Sequence, residues 1–591
     1  MFKRVLAFVS LLALVAVSCG GAAATPTPTA TRAAAPAPTL APTAAAAPAA
    51  QPTPTATRAP APTPTAAAAA LAAVQVYRVN LAGEPETIDP NKAHFASEIS
   101  VAKQLFDGMF SFNQDLTVRP VLAEAIPTVA NGGISADGLT YTIKLRPGVK
   151  WSDGKDVTAE DIVYSVKRML DPATAGQYTT FYYSLKGAEE LNKEKDAGKV
   201  PALKDALGVR ALDARTVQFT LRQPDPIFLN LLALWPVYPI RRDVVERYGD
   251  KWTEAGNLIG NGPFLLKEWA HQDHITLERS PNYWGRPAKL QRIVVKMVTD
   301  VNAELAAYKN NELDVSRVPP GTEKATLDDP VLGKEIVRFP ELVTFAFQFN
   351  NTVPPFDNKP LRQAITTAID RDSFINKVRN GVGRPATSWI PPGMPGFDPD
   401  LGSQYKLNPA RAKELLAQAG FPEGRGLPPL KFQYADTAGN KVIAEFLQAN
   451  MKDHLGINIV LEPTEPRAFS ALITQKKHTW ALLGWGADYP DPDNWLPELF
   501  GSGKPANRTN YTSPAFDDLV KRAKAELDEK KRLDLWKQAH KVLIDDAPLA
   551  PIFYRERFFL RKPWVQDMRT TGMDGQLSGD FFLAELYIAQ H

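Results

Sequence analysis

Asp137–Arg168 reads DGLTYTIKLRPGVKWSDGKDVTAEDIVYSVKR, a strand-like run followed within a short loop by a helix with a marked start. Leu139–Arg146 is the strand. Thr158 then stands as an N-cap with Asp161 three residues on, the spacing at which a side chain satisfies free N–H groups of a first turn. Ile162, Val163, Val166, Met169 and Leu170 fall on one face, as an amphipathic core helix requires.

The same vocabulary repeats along the chain. Strand-like runs recur at Thr216–Leu221, Ile275–Glu278, Val343–Phe349, Ile457–Leu461 and Trp480–Trp485. Helix-like runs recur at Lys359–Ile369, Pro409–Ala419, Val442–Leu455 and Pro514–Ala525. Strands separated by helices predict an α/β architecture with at least partly parallel sheets. At 591 residues the chain is too long for one hydrophobic core, so several domains are expected.

This pattern begins at about Val76. Residues 20–75 are almost wholly Ala, Pro, Thr and Gly, and PTPTATRA occurs twice, at Pro26–Ala33 and Pro52–Ala59. A segment with so little to bury cannot offset the entropy of ordering, so a disordered, semi-stiff tether is expected there. Ahead of it lie a basic pair, Lys3 and Arg4, and an apolar run, Val5–Val17, the parts of an export signal. Ala16-Val17-Ser18-Cys19 resembles the bacterial lipobox, with Ala16 where Leu is usual, and the resemblance implies lipidation at Cys19 and an extracytoplasmic, membrane-anchored protein. The alternative is a plain secretory signal.

Composition removes several functions. Hydrophobic residues make up 44% and charged residues 23%, ordinary for a globular chain. With 68 basic and 65 acidic residues the net charge is +3, which does not suit a nucleic-acid binder. Cys19 is the only cysteine, which excludes an intrachain disulfide, a thiolate metal site and a cysteine nucleophile in the body. The seven histidines form no HExxH motif, and neither a Gly-x-Ser-x-Gly elbow nor a Walker-type phosphate loop is present. Asp488, Asp491 and Asp493 lack the glycine and distal Glu of an EF-hand loop. No metal, cofactor or enzymatic activity is expected.

A series of segments resembles the family 5 extracellular solute-binding proteins, most closely the oligopeptide- and dipeptide-binding ones. They are Glu84–Pro90 (EPETIDP), Leu105–Gly108 (LFDG), Pro120–Glu124 (PVLAE), Asp137–Arg168, Asn261–Phe264 (NGPF) and Leu277–Trp284 (LERSPNYW). Phe356–Lys359 (FDNK), Ala368–Asp372 (AIDRD), Gly484–Pro492 (GWGADYPDP) and Lys562–Val565 (KPWV) complete the series. The resemblance spans 76–591 and implies a type II periplasmic-binding-protein fold, two lobes around a hinge with an additional inserted domain. It implies a discontinuous domain of 76–106, 241–342 and 560–591, an inserted domain of 107–240 and an opposing lobe of 343–559. The implied partners are a peptide ligand and the separately encoded permease and ATPase subunits of an ABC transporter, around a monomeric receptor.

The resemblance also places the ligand. An Asp in the family's Gly-Trp-x-x-Asp segment holds the peptide's α-ammonium, which implies Asp488 here; the alternative is a loop-capping Asp beside Tyr489-Pro490. Gly484 and Gly486 flank Trp485 at a strand end, where glycine lets another backbone approach. Trp485 is then a pocket wall, or else a core tryptophan. Ungapped alignment from Asp89 to Phe106 sets His94, Phe95 and Ala96 where relatives supply the opposite backbone contacts, and Tyr178 on a cleft tyrosine. Two positions depart from the relatives: Leu482 replaces a basic residue available to a ligand carboxylate, and Pro466-Arg467 stands where a pocket Trp is found. Other members of this family bind oligosaccharides, nickel complexes or haem, and an acidic anchor for an amine favours peptides among these. An exported peptidase or glycosidase is the competing class.

Overall fold

The helix expected after Thr158 forms over Ala159–Leu170. Its start is as read: the Thr158 N–H donates to Asp161 Oδ2 at 2.8 Å and the Thr158 hydroxyl donates to the same oxygen at 3.0 Å. Ile162, Val163, Val166, Met169 and Leu170 are all buried. They face an antiparallel three-stranded sheet in the order Thr140–Lys144, Thr216–Thr220, Val209–Asp213.

The structure is a computed structural model and describes residues 70–591. The signal-like run, Cys19 and the Ala/Pro/Thr segment as far as residue 69 lie outside the described residues. The last residues of that segment are not tether. Leu71 bridges to Ala589, the Ala72 N–H donates to the Ile588 carbonyl at 2.9 Å, and Gln75 is buried with its amide on Ile588 O at 2.7 Å. The folded body therefore starts before Val76, because the carboxy-terminal strand supplies backbone partners that the local sequence does not announce.

Two larger sheets frame the rest. Val76–Asn80 runs parallel to Arg292–Lys296, which is followed in antiparallel order by His274–Arg279 and Phe264–Ala270. The other sheet orders Val315–Arg317, Leu549–Arg561, Ile336–Phe349, Trp480–Gly486, Leu430–Ala435 and Ile459–Thr464, with Arg384–Pro385 paired beside Leu549–Arg561. Both sheets are mixed, with parallel pairing confined to Val76–Asn80 with Arg292–Lys296 and to Leu430–Ala435 with its two neighbours.

Ile336–Phe349 and Leu549–Arg561 are the longest strands, 14 and 13 residues, and pair with each other along most of their length. At one end Val315–Arg317 joins them, and at the other Trp480–Gly486 does, so between these the sheet narrows to a two-stranded ribbon. The ladder slips there, between Pro340 and Thr344. Proline has no N–H to give a ladder, which is why such a break is placed at it. Glu341, at the slip, is buried and paired with Arg555 at 2.5 Å and Arg557 at 2.8 Å. The expected divisions at 342/343 and 559/560 both fall inside these strands rather than in loops.

Beyond the ribbon, Phe347, Phe349, Phe432 and Trp480 interlock as a dry core, with Phe349 and Trp480 stacked at 5.6 Å. On the near side, Asn261–Phe264 seals the end of helix Ala96–Leu105. The Gly262 N–H donates to Leu105 O at 2.9 Å, and a Cβ on Gly260 would lie 2.1 Å from that same oxygen. Glycine is obligatory at such an approach.

Candidate functional site

Trp480–Gly486 ends in a turn, and the turn is built by its own acidic residues. Asp491 receives a two-pronged ion pair from Arg532, at 2.7 and 3.0 Å, and both side chains are buried. Asp493 accepts the Tyr489 hydroxyl at 2.9 Å and pairs with Lys524 at 3.1 Å. Asp488 is treated differently. Its Oδ2 accepts the Asn494 amide at 3.0 Å, its Oδ1 accepts the Tyr178 hydroxyl at 3.3 Å, and no cation is within ion-pair reach among the described residues. Burial pushes its carboxyl above the ordinary range, and the bonds from Asn494 and Tyr178 only partly offset that.

Asn494 is the residue sequence reasoning missed. Its side-chain oxygen accepts the Asp488 N–H at 2.9 Å and the Trp485 indole at 3.3 Å, while its amide holds the Asp488 carboxylate. Tyr178 arrives from the stretch after helix Ala159–Leu170, wedged edge-on against Trp235 and Phe181 with centroids 4.9 and 5.2 Å away. Its phenol is raised above its ordinary value by burial and then by the Asp488 charge, so it stays a hydrogen-bond donor. Trp235 is fixed in turn by its indole N–H on Ala93 O at 2.8 Å.

His94, Ala96, Tyr178 and Asp488 line one cavity of about 210 Å³, together with Trp235 and, on the facing wall, Lys103 and Asp574. Lys103 lies 3.3 Å from Asp580 and over the Phe581 ring at 3.4 Å. Asp574 is held above the ordinary carboxylate range by burial and by the neighbouring Asp580. The cavity thus has an uncompensated acidic end at Asp488.

The other expected residues are placed differently. Phe95 is about half exposed and does not line this cavity. The His94–Ala96 segment opens a helix instead of running as a strand: the His94 and Phe95 N–H groups both donate to buried Glu98, at 2.8 and 3.0 Å. Those two donors are spent on the cap. Gly484 and Gly486 also do not line the cavity. A Cβ on Gly484 would sit 2.7 Å from the Phe345 ring, so this glycine clears a face of the sheet for a cross-strand aromatic, not an edge for a ligand. Trp485 is half-buried with its indole on Asn494. The edge nevertheless is open: Leu430–Ala435 pairs with this strand only at Gln433–Ala481, which leaves residues 484–486 without a ladder partner on that side among the described residues.

Comparison with known proteins finds relatives over most of the chain. The model of the bacterial extracellular solute-binding proteins, family 5, matches residues 117–507. The periplasmic oligopeptide-binding protein OppA of Salmonella typhimurium is 34% identical over 526 residues, covering 87% of this chain and 92% of that protein. The unliganded open form of the periplasmic murein tripeptide binding protein MppA superposes with a TM-score of 0.77 at 28% identity, over 89% of this chain and 99% of that one. Haemophilus influenzae OppA in complex with RPPGFSPFR gives a TM-score of 0.66 at 27% identity, over 88% of this chain and all (100%) of that one. The fold is that of the type II periplasmic binding proteins, and the chain belongs to the bacterial extracellular solute-binding proteins of family 5, receptors that carry a solute and do no chemistry on it.

Proposed function

We propose that this chain captures peptides between its two halves and delivers them to an ABC permease. The observation that carries the reading is Asp488. In one turn, Asp491 and Asp493 have cations of their own and Asp488 has none, while it lines the cavity. A half-buried carboxylate with only neutral donors is unfavourable by itself and complementary to an incoming ammonium. The open strand edge at 484–486 supplies backbone groups for an extended ligand. Relatives named as oligopeptide- and dipeptide-binding proteins support the ligand class.

The closing units are 343–559 against 76–106, 241–342 and 560–591 with the inserted 107–240, hinged on the two-stranded ribbon. Cys19 carries the lipid, residues from 20 onward span from membrane to body, and the receptor works as an extracytoplasmic monomer. Oligosaccharides are the rival ligand, and a sugar gives Asp488 no charge to meet. Native mass spectrometry of the full chain, equilibrated with equal mixtures of short peptides and of oligosaccharides, decides the matter. A ladder of peptide masses is expected; retention of sugars alone refutes the proposal.

A further inference from the structure

Behind the Lys103–Phe581 wall of the cavity lies a second concavity of about 400 Å³, between the hairpin Phe110–Pro120, the loop that follows His274–Arg279 and the carboxy-terminal segment. Its charge is lopsided. Arg119 and Arg146 each donate Nε to a backbone carbonyl, Phe112 O at 3.1 Å and Ala123 O at 3.0 Å, and this fixes both guanidinium planes. Their terminal nitrogens have no hydrogen-bond partner among the described residues, and neither side chain has a carboxylate within ion-pair reach. Arg286, exposed at the rim, has no partner of either kind.

The remaining charges around the groove are accounted for. Lys103 is paired with Asp580, Lys289 with Asp567 and Glu585 with Arg569. Asp107 is the one carboxylate left over; Tyr283 donates to it at 2.7 Å and burial raises it to about 6. Three unpaired guanidiniums therefore face one acid. Folding gains nothing from gathering like charges this way, and a guanidinium with two free Nη groups is the donor best matched to the oxygens of a phosphate or carboxylate. Tyr283 and Trp284 add aromatic wall, and the volume falls in the range of sites for small organic ligands.

We propose that this groove is a second binding site, for an oxyanion carried on a small organic body, with Arg119, Arg146 and Arg286 as its ligands. The site is separate from the cavity at Asp488 and does not depend on what that cavity binds. Such an anion has two sources, a free organic phosphate or a phospholipid head group.

Calorimetry on the full chain tests this with phenyl phosphate, inorganic phosphate and a short-chain phosphatidylglycerol below its micelle concentration, and with phenol as the neutral control. Saturable binding of phenyl phosphate or of the lipid, absent for phenol and weakening with salt, is expected. Inorganic phosphate should bind less tightly, lacking a body for the aromatic wall. Binding by the lipid alone assigns the head group as the source. Arg119→Gln/Arg146→Gln should lose about tenfold or more in affinity. Arg286→Ala, at an exposed position that cannot endanger the fold, should lose several-fold with an unchanged melting temperature. No saturable binding by any of the three anions, or equal binding by wild type and both variants, overturns the proposal.

Discussion

Replacing Asp488 by Asn separates a ligand anchor from a turn-capping residue, because the two roles move stability and affinity in different directions. The carboxylate holds only two neutral donors, Tyr178 and Asn494; an amide keeps its oxygen for the Asn494 amide and turns its NH2 to the Tyr178 hydroxyl oxygen, which can accept. An ammonium–carboxylate hydrogen bond is worth about 1.5–3 kcal/mol, so its loss should weaken peptide binding by about one to two orders of magnitude. Stability should move the other way. The folded-state pKa of Asp488 is raised by burial, so the ionised group costs stability above that raised value, and the cost vanishes below the unfolded value near about 3.9. At neutral pH the unliganded variant should therefore melt at the same temperature as wild type or slightly higher. Calorimetry with free and N-acetylated forms of one peptide completes a cycle. Acetylation should cost wild type at least as much as the substitution does, and cost the variant little further. A lower melting temperature with unchanged affinity for both peptides would refute the reasoning and make Asp488 a cap.

Four other outcomes are expected. Affinity for peptides with a free amine should decline as pH falls through the raised pKa of Asp488, starting above the ordinary carboxylate range, because a protonated carboxyl no longer attracts ammonium; N-acetylated peptides should show no such decline in the same titration. Arg532→Met leaves Asp491 buried without its cation, a loss of about 3–5 kcal/mol that thermal or denaturant unfolding reads directly. Cys19→Ala should move the protein from the membrane to the soluble fraction with ligand binding intact, and a variant still sedimenting with membranes speaks against lipidation. A competition panel of peptides of one length and varied side chains should span no more than about two orders of magnitude, roughly 2.7 kcal/mol, since backbone and amine are common to all; one sequence ahead by four orders would mark a dedicated receptor.

Where local periodicity and capping decide an element, the sequence is legible to within a residue or two. Ala159–Leu170, Pro409–Gln418 and Pro514–Ala525 form where expected, the last capped by Ser513, and Trp480–Gly486 extends the expected strand by one residue. The ribbon is not legible in this way. Ile336–Phe349 begins seven residues before the expected Val343, and Pro340 interrupts the pattern that would have revealed it. Leu549–Arg561 has Pro551 within it, at another slip of the ladder, and is formed by its partner rather than by its own propensity. The site divides similarly. Asp488 and Tyr178, both named through resemblance, meet in the structure. Trp235, Lys103 and Asp574 carry no local signal, because the cavity is assembled from stretches hundreds of residues apart. Asn494 had one available clue: an amide closing the acidic run DYPDPDN, where a neutral donor is what an uncompensated carboxylate lacks.

The slip between Pro340 and Thr344 lies next to the cavity, where the Ala487 N–H donates to Leu342 O at 2.9 Å, yet none of its own side chains lines that cavity. On the proposed hinging, a few backbone dihedrals in this narrow ribbon would absorb opening and closing, and what packs there, including Glu341 clamped between Arg555 and Arg557, would help set the free energy between the two states. Observed affinity is the intrinsic affinity multiplied by the fraction of molecules able to close. Substitutions along the ribbon would then retune the concentration at which the receptor fills without replacing any side chain that lines the cavity. Selection could match one binding surface to a nutrient-poor or a nutrient-rich surrounding by adjusting the pivot alone.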